Sequence, residues 1–152
     1  MDAFSEAREV ALRYLDYAPR TGAEVRRRLE RGGFDEDVVD AVLADLEQAG
    51  FVNDAKLSRD WVESRTQNKG LGRVRLAEEL RRKGIDREIV DEVVEEIDPD
   101  EEMETALHLV RKRTTPEELE DMAVRRKIAG YLQRRGYKWE LIEQVFAKLM
   151  AK

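Results

Sequence analysis

The sequence predicts an all-α protein built from three tandem three-helix repeats of helix-turn-helix outline, forming an elongated, curved array. Three observations lead there. A 22-residue pattern occurs three times, over Val25–Leu46, Leu76–Ile97 and Ile128–Leu149, and the copies start 51 and 52 residues apart. Each copy has apolar residues at its positions 1, 5, 10, 14, 15, 18, 19 and 22 and a glycine at position 9. A fixed period of this length marks a repeat array. No segment alternates with period two for long enough to be read as a strand.

Within each block, positions 1 and 5 share one face of a first helix. Positions 14, 15, 18, 19 and 22 form a stripe on a second. The glycine between them (Gly33, Gly84, Gly136) stands where a helix ends in a left-handed residue. The apolar residue after it (Phe34, Ile85, Tyr137) is expected to fold back on the preceding helix. Asp35 and Asp86 suit the N-cap of the second helix, whereas Lys138 does not, so the third turn is expected to be capped less well.

A further helix precedes each block. The first is expected over roughly Glu6 to Tyr17, ended by Ala18-Pro19; the second starts near Asp54 and carries Leu57, Trp61 and Val62. The third starts at Asp98-Pro99, with proline at the first helical position. Thr21-x-x-Glu24 and Thr115-Pro116-Glu117-Glu118 read as capping boxes. The repeats are therefore placed at 1–50, 51–98 and 99–152. A three-helix group of about 50 residues is marginal alone, and stacking the copies extends its core.

Composition narrows the function classes. With 41% hydrophobic and 41% charged residues and three prolines, the chain is helix-prone and able to fold. There is no cysteine and a single histidine, His108, which leaves no thiolate metal site, no disulfide framework and little basis for a histidine dyad. His108, between Leu107 and Leu109, is expected to be structural. No apolar run approaches the roughly 18 residues of a membrane helix, and the N-terminus shows no export signal; a cytoplasmic protein is expected. No nucleophile, base or metal constellation is present, so neither an enzyme nor a cofactor is expected.

The net charge is −6, but it is segregated. Arg65–Lys83 carries seven basic and two acidic residues, Asp86–Glu104 eleven acidic and one basic, and Arg111–Lys138 nine basic and four acidic. In a DNA-reading helix-turn-helix the second helix enters the major groove and must tolerate phosphates. Here Asp35–Glu47 holds six acidic residues and no basic one, and Asp86–Ile97 six acidic residues and Arg87. The basic residues sit on the first helix of each block instead, so the outline is that of a DNA reader without its charge. Exposed ion pairs are worth on the order of 0–1 kcal/mol each, a weak reason for so much segregated charge. A striped surface facing a complementary partner accounts for it better. Lys69-Gly70-Leu71-Gly72-Arg73 lacks phosphate-loop spacing and reads as a linker into the next helix. Trp61 is expected in the core, and Trp139 is a surface candidate.

The middle of the chain resembles the bacterial RecX family of regulatory proteins. The resemblance is carried by Gly50-Phe51-Val52-Asn53-Asp54, Trp61-Val62 with Arg65, Lys69-Gly70-Leu71-Gly72, and Leu80-Arg81-Arg82-Lys83-Gly84-Ile85. It continues in Ala11-Leu12, Glu24 to Leu29 and Gly33-Phe34 before that block, and in Arg134-Arg135-Gly136-Tyr137 with Ile142 and Val145 after it. The resemblance implies three three-helix repeats and a modulator, usually an inhibitor, of the RecA recombinase, acting in recombination, DNA repair and the SOS response. It implies binding along the groove of the RecA–single-stranded DNA filament, with ATP hydrolysis and strand exchange suppressed. Charge segregation and the central match together nominate Arg65, Lys69, Arg73, Arg75, Arg126, Arg134 and Arg135 as partner-binding residues. A monomer is expected, with weak direct DNA contact and no membrane contact. The rival readings are a helical-repeat protein acting directly on nucleic acid, and a scaffold for an unrelated protein.

Overall fold

The computed structural model describes residues 1–151. Among them are nine α-helices, one short 3-10 turn and no strand. The helices are α1 (Ala3–Tyr17), α2 (Gly22–Arg31), α3 (Glu36–Gln48), α4 (Asp54–Lys69), α5 (Arg73–Arg82), α6 (Arg87–Glu95), α7 (Pro99–Arg111), α8 (Met122–Arg134) and α9 (Trp139–Met150). The expected three groups of three are present. Two compact units form. The first contains Met1–Asp60 with Leu80–Val90, and the second contains Trp61–Glu79 with the chain from Asp91 on. Residues of the middle repeat contribute to both.

The apolar frame does what its spacing predicts. Positions 1, 5, 15 and 18 are buried in every copy: Val25, Leu29, Val39 and Val42; Leu76, Leu80, Val90 and Val93; Ile128, Leu132, Ile142 and Val145. In the first unit these residues close on Ala7 and Ala11 of α1. In the second they close on Ala106, Leu107 and Val110 of α7 and on Leu119 from the 3-10 turn Glu118–Glu120. A buried aliphatic side chain contributes about 1.5–3 kcal/mol, so this frame holds the first and third helix trios together.

The first helix of every block ends in the same turn. Gly33, Gly84 and Gly136 have φ of 83°, 83° and 96°. In each, the glycine N–H bonds to the carbonyl three residues back, and the following N–H bonds to the carbonyl five residues back: Phe34 to Leu29, Ile85 to Leu80 and Tyr137 to Leu132. This is the Schellman pattern. Gly50, with φ of 83°, ends α3 in the same way, its neighbour Phe51 bonding to the Leu46 carbonyl at 2.9 Å.

Capping follows the sequence in part. Thr21 and Glu24 form the expected capping box, and Asp98 caps α7 with Pro99 in its first turn. Helix α1 begins at Ala3, earlier than expected, because the Asp2 side chain accepts from Ser5 N–H. Asn53 Oδ1 accepts from Lys56 N–H at the start of α4. Two expectations are corrected. Asp35 makes no side-chain cap bond, so the turn before α3 is no better capped than the turn at Lys138. The Thr115 hydroxyl does accept from Glu118 N–H, but it caps only the 3-10 turn; α8 begins at Met122, capped by Asp121.

Consecutive repeats are joined twice by the same clamp, once inside each unit. In the first unit, Thr21 Oγ1 donates to the Lys83 carbonyl at 2.9 Å, and Asp54 Oδ1 accepts from Gly22 N–H at 2.9 Å. A Cβ on Gly84 would lie 2.5 Å from the Ala23 Cβ. In the second unit, Gly72 N–H donates to the Arg135 carbonyl at 2.8 Å, and Glu102 Oε2 accepts from Arg73 N–H at 2.9 Å. A Cβ on Gly72 would lie 2.6 Å from the Gly136 oxygen, and one on Gly136 would collide with Arg75. In both clamps the turn of one repeat presses on the N-terminus of the preceding repeat's first block helix. A carboxylate from the incoming repeat caps that N-terminus. Only glycine permits such approach, of backbone to backbone at Gly72 and Gly136 and of backbone to the Ala23 methyl at Gly84.

The turn of the first repeat has no such neighbour, since nothing lies within 4 Å of a Cβ placed on Gly33. Accordingly Phe34 is only half-buried, whereas Ile85 and Tyr137, at the same position, are 4% and 3% exposed. This contrast yields a test. Gly33→Ala should lose about 1–2 kcal/mol for its left-handed conformation alone. Gly136→Ala should lose that and a further 1–3 kcal/mol or so for overpacking. Chemical denaturation followed by far-ultraviolet circular dichroism compares them, and equal midpoints would show that the close approach contributes no stability.

Candidate functional site

The seven nominated cations do not form one surface. Arg65 and Arg73 are turned into the second unit. Arg65, on α4, binds Glu79 of α5 through both edges: Nε to Oε1 at 3.0 Å and Nη2 to Oε2 at 2.8 Å. The Trp61 indole N–H donates to the same Glu79 Oε1 at 3.0 Å, and the Arg65 guanidinium lies 5.4 Å from the Trp61 ring. Trp61 is thus half-buried over a polar contact and not a plain core aromatic. Arg73 donates Nε to Glu102 Oε1 at 2.9 Å and Nη2 to the Ile97 carbonyl at 3.1 Å. The Glu102 side chain is 6% exposed. Breaking such a buried pair costs about 3–5 kcal/mol, so Arg73 is fixed in the fold.

Four others gather around the α8–α9 turn. Arg135 donates Nη1 to the Lys69 carbonyl, which brings the end of α4 to the end of α8. The Tyr137 hydroxyl donates to the Gly70 carbonyl at 2.8 Å, in a buried bond that fastens the Gly70–Gly72 linker to the same turn. Burial pushes the Tyr137 hydroxyl well above the usual phenol range, so it remains a donor. Arg75 packs against Gly136 and sits 3.6 Å from Glu79 Oε2, with its Nε buried and unbonded. Lys69 and Arg134 are exposed. The linker is therefore the expected connection into α5, but its glycines also serve the clamp.

Two residues join this group that sequence reading missed. The Arg113 guanidinium lies 3.8 Å from the Tyr131 ring centroid, and that of Arg135 lies 5.1 Å from the same ring. Arg113 is exposed and Tyr131 half-buried. No local spacing links residues 18 apart in sequence; only the tertiary fold of the third repeat makes them neighbours. A guanidinium over an aromatic face keeps its charge and loses some mobility, which suits binding to carboxylates or phosphates. Arg126 stands apart, eight residues and about 12 Å along α8 from Arg134. It is exposed and lies next to Trp139, which is 50% exposed as the surface reading expected. His108 is exposed in the last turn of α7. Among the described residues no group of carboxylates, histidine or cysteine could hold a metal, and no helix is long and apolar enough to cross a membrane.

The Arg65–Glu79 pair makes a pH prediction. The Arg65 hydrogen bond, opposed by burial and aided by Trp61, holds the Glu79 carboxyl below its ordinary value of 4.5. A depressed carboxyl contributes stability above its unfolded value and loses it as pH falls through the folded one. The stability advantage of the native chain over Glu79→Gln should therefore be full at neutral pH and shrink below about pH 4.5, read from urea midpoints across the acid range. A pH-independent difference would mean that Glu79 acts by packing and not by charge.

Comparison with known proteins assigns the frame that carries these residues. Residues 7–46, 53–94 and 100–146 match the family models for the first, second and third three-helix domains of RecX. Among curated relatives, the Regulatory protein RecX of Amycolatopsis mediterranei is 38% identical over 137 residues, spanning 90% of this chain and 78% of the relative. That of Mycolicibacterium smegmatis is 36% identical over 151 residues, spanning 96% and 80%. The crystal structure of RecX from Lactobacillus salivarius superposes with a TM-score of 0.90 over 97% of both chains at 23% identity, which supports the fold. With three domain models in order along the chain and relatives matched over most of their length, the chain belongs to the RecX family of regulatory proteins.

Proposed function

We propose that this chain binds the RecA–single-stranded DNA filament and inhibits its ATP hydrolysis, strand exchange and recombination activity. It does so in the cytoplasm, as a monomer and without catalysing a reaction. Family membership supports a regulatory role. The observation that carries the surface is the group of cations at the α8–α9 turn: Lys69, Arg134 and Arg113 are exposed, and half-buried Arg135 is tied to the Lys69 carbonyl. A rigid clamp presents these charges with little ordering left to do on binding, and preorganisation of that kind favours affinity. Three linked modules also add their contacts through effective concentration. Arg65 and Arg73 support the surface from inside.

The direct-nucleic-acid reading has one observation in its favour: Arg113 and Arg135 over Tyr131, beside exposed Arg111 and Lys112, offer phosphate contacts. Against it stands the exposed acidic face of α3, with Glu36, Asp37 and Asp40. That reading requires tight binding to bare oligonucleotide with a steep salt slope.

The test is RecA ATPase on single-stranded DNA, with and without the chain at micromolar concentration and moderate salt. Inhibition is expected, and its absence would sink the proposal. Lys69→Glu with Arg134→Glu, both at exposed positions, should raise the half-inhibitory concentration by roughly tenfold, a loss of charge complementarity at a partner surface. Helicity should be unchanged. Arg73→Glu should instead lower the melting temperature, since it opposes Glu102.

A further inference from the structure

Helix α8 carries a glycine that the fold does not call for. Gly130 stands at position 3 of the third block, where the first two copies hold Arg27 and Glu78, so the repeat frame accepts a large side chain there. It is not among the glycines of positive φ, which are Gly33, Gly50, Gly70, Gly84 and Gly136. Apart from the backbone of its own helix, the one atom of the described residues within 4 Å of a Cβ placed on Gly130 is Arg134 Nη1, at 3.3 Å. That is the tip of an exposed, flexible side chain, free to swing aside. Gly72, Gly84 and Gly136 differ, since a Cβ on any of them collides with the neighbouring repeat. Glycine inside a helix weakens it relative to alanine. A local choice that costs stability with no return inside the fold marks a functional position.

Gly130 lies between two of the cations nominated above. Arg126, Gly130 and Arg134 follow one another at intervals of four residues, which sets them in one strip along α8. Both arginines are exposed, and among the described residues neither has an ion-pair partner. Arg134 belongs to the cation group at the α8–α9 turn, so the strip joins Arg126 to that surface. The strip is thus a gap in side-chain cover between two unpaired guanidinium groups. Phosphates have no use for the gap: held by arginine, they stand at the ends of long side chains, beyond a methyl on the helix. A missing Cβ matters to a partner in van der Waals contact with the helix backbone, which describes a packed protein segment. The flanking guanidinium groups select carboxylates on that segment.

We infer that Gly130 is an approach point for the filament's protein subunit: a segment of that subunit packs on α8 at Gly130 and pairs its carboxylates with Arg126 and Arg134. This rests on the filament reading above and adds to it a contact made by the absence of a side chain.

The experiment uses the full chain and RecA assembled with a non-hydrolysable ATP analogue on immobilised oligo-dT. Gly130→Ala should raise the melting temperature of the chain by roughly 2–4 °C. It should at the same time weaken filament binding by about tenfold, as overpacking does. Gly130→Arg should keep native helicity and weaken binding further, in spite of its added charge. Arg126→Glu should weaken binding by about tenfold. Where Gly130→Ala alone is tolerated, Gly130→Arg decides. Native binding that Gly130→Arg leaves unchanged or tightens would overturn the inference and leave the filament reading intact. A parallel gain on bare oligo-dT, with a steeper salt slope, would then assign the strip to phosphates. Failure of the native chain to bind would overturn both. A lower melting temperature for Gly130→Ala would show that the glycine serves the fold and overturn the inference. Self-association in sedimentation, abolished by Gly130→Arg, would assign the strip to a second copy and overturn it as well.

Discussion

Every other feature of this chain depends on how closely a turn can approach the helix beneath it. At both clamps a glycine allows the close approach, Gly84 against the Ala23 methyl and Gly136 against the backbone of Gly72 and Arg75. The approach sets the hydrogen bonds from Thr21 to Lys83 and from Gly72 to Arg135, which in turn fix where the next helix can place its carboxylate. A three-helix group this small buries too little surface to be robust alone. The clamp supplies the missing contacts without enlarging the core, and it does so with polar groups that would otherwise stand unpaired at helix ends.

The same geometry sorts the charges. Asp54 and Glu102 cap helices; Glu79 gathers Arg65, Trp61 and the edge of Arg75. Burial raises the Asp54 carboxyl above its ordinary range, opposed by the Gly22 hydrogen bond, so this cap carries a desolvation cost that its hydrogen bond offsets in part. Side chains used in this way are withdrawn from any partner. What remains outside is a different set of cations, on the turn and on the outer side of α8.

Much of the frame was legible because it is local. The apolar positions, the left-handed glycines, the Thr21–Glu24 box and the start of α7 all follow from neighbours within a few residues. Asp2 and Asn53 as caps were missed because each lay outside the periodic pattern, although both are ordinary cap residues. The site was less legible. Arginines of one composition divide into Arg73, locked to Glu102, and Arg134, exposed, and the difference is made by a residue 29 positions from Arg73 in sequence. Gly72 looked like linker for the same reason: its contact, the Arg135 carbonyl, is contributed by the next repeat. Charge segregation marks a region and cannot separate the arginines locked in buried pairs from those left exposed.

The division between locked and exposed arginines also bears on how a partner can be held. An arginine that must leave a buried carboxylate before it binds carries a cost of about 3–5 kcal/mol into the complex. That would consume most of what a charge-assisted contact returns. Lys69, Arg134 and Arg113 are exposed, so a contact made through them would start without that penalty. Their positions are nevertheless not loose. Arg113 rests on Tyr131, and the backbones of Lys69 and Arg134 are tied to the turn through Arg135 and the glycines it neighbours. The repeat thus separates two tasks among residues that look alike: buried pairs hold the turn in place, and the turn holds the outer cations where a partner can reach them.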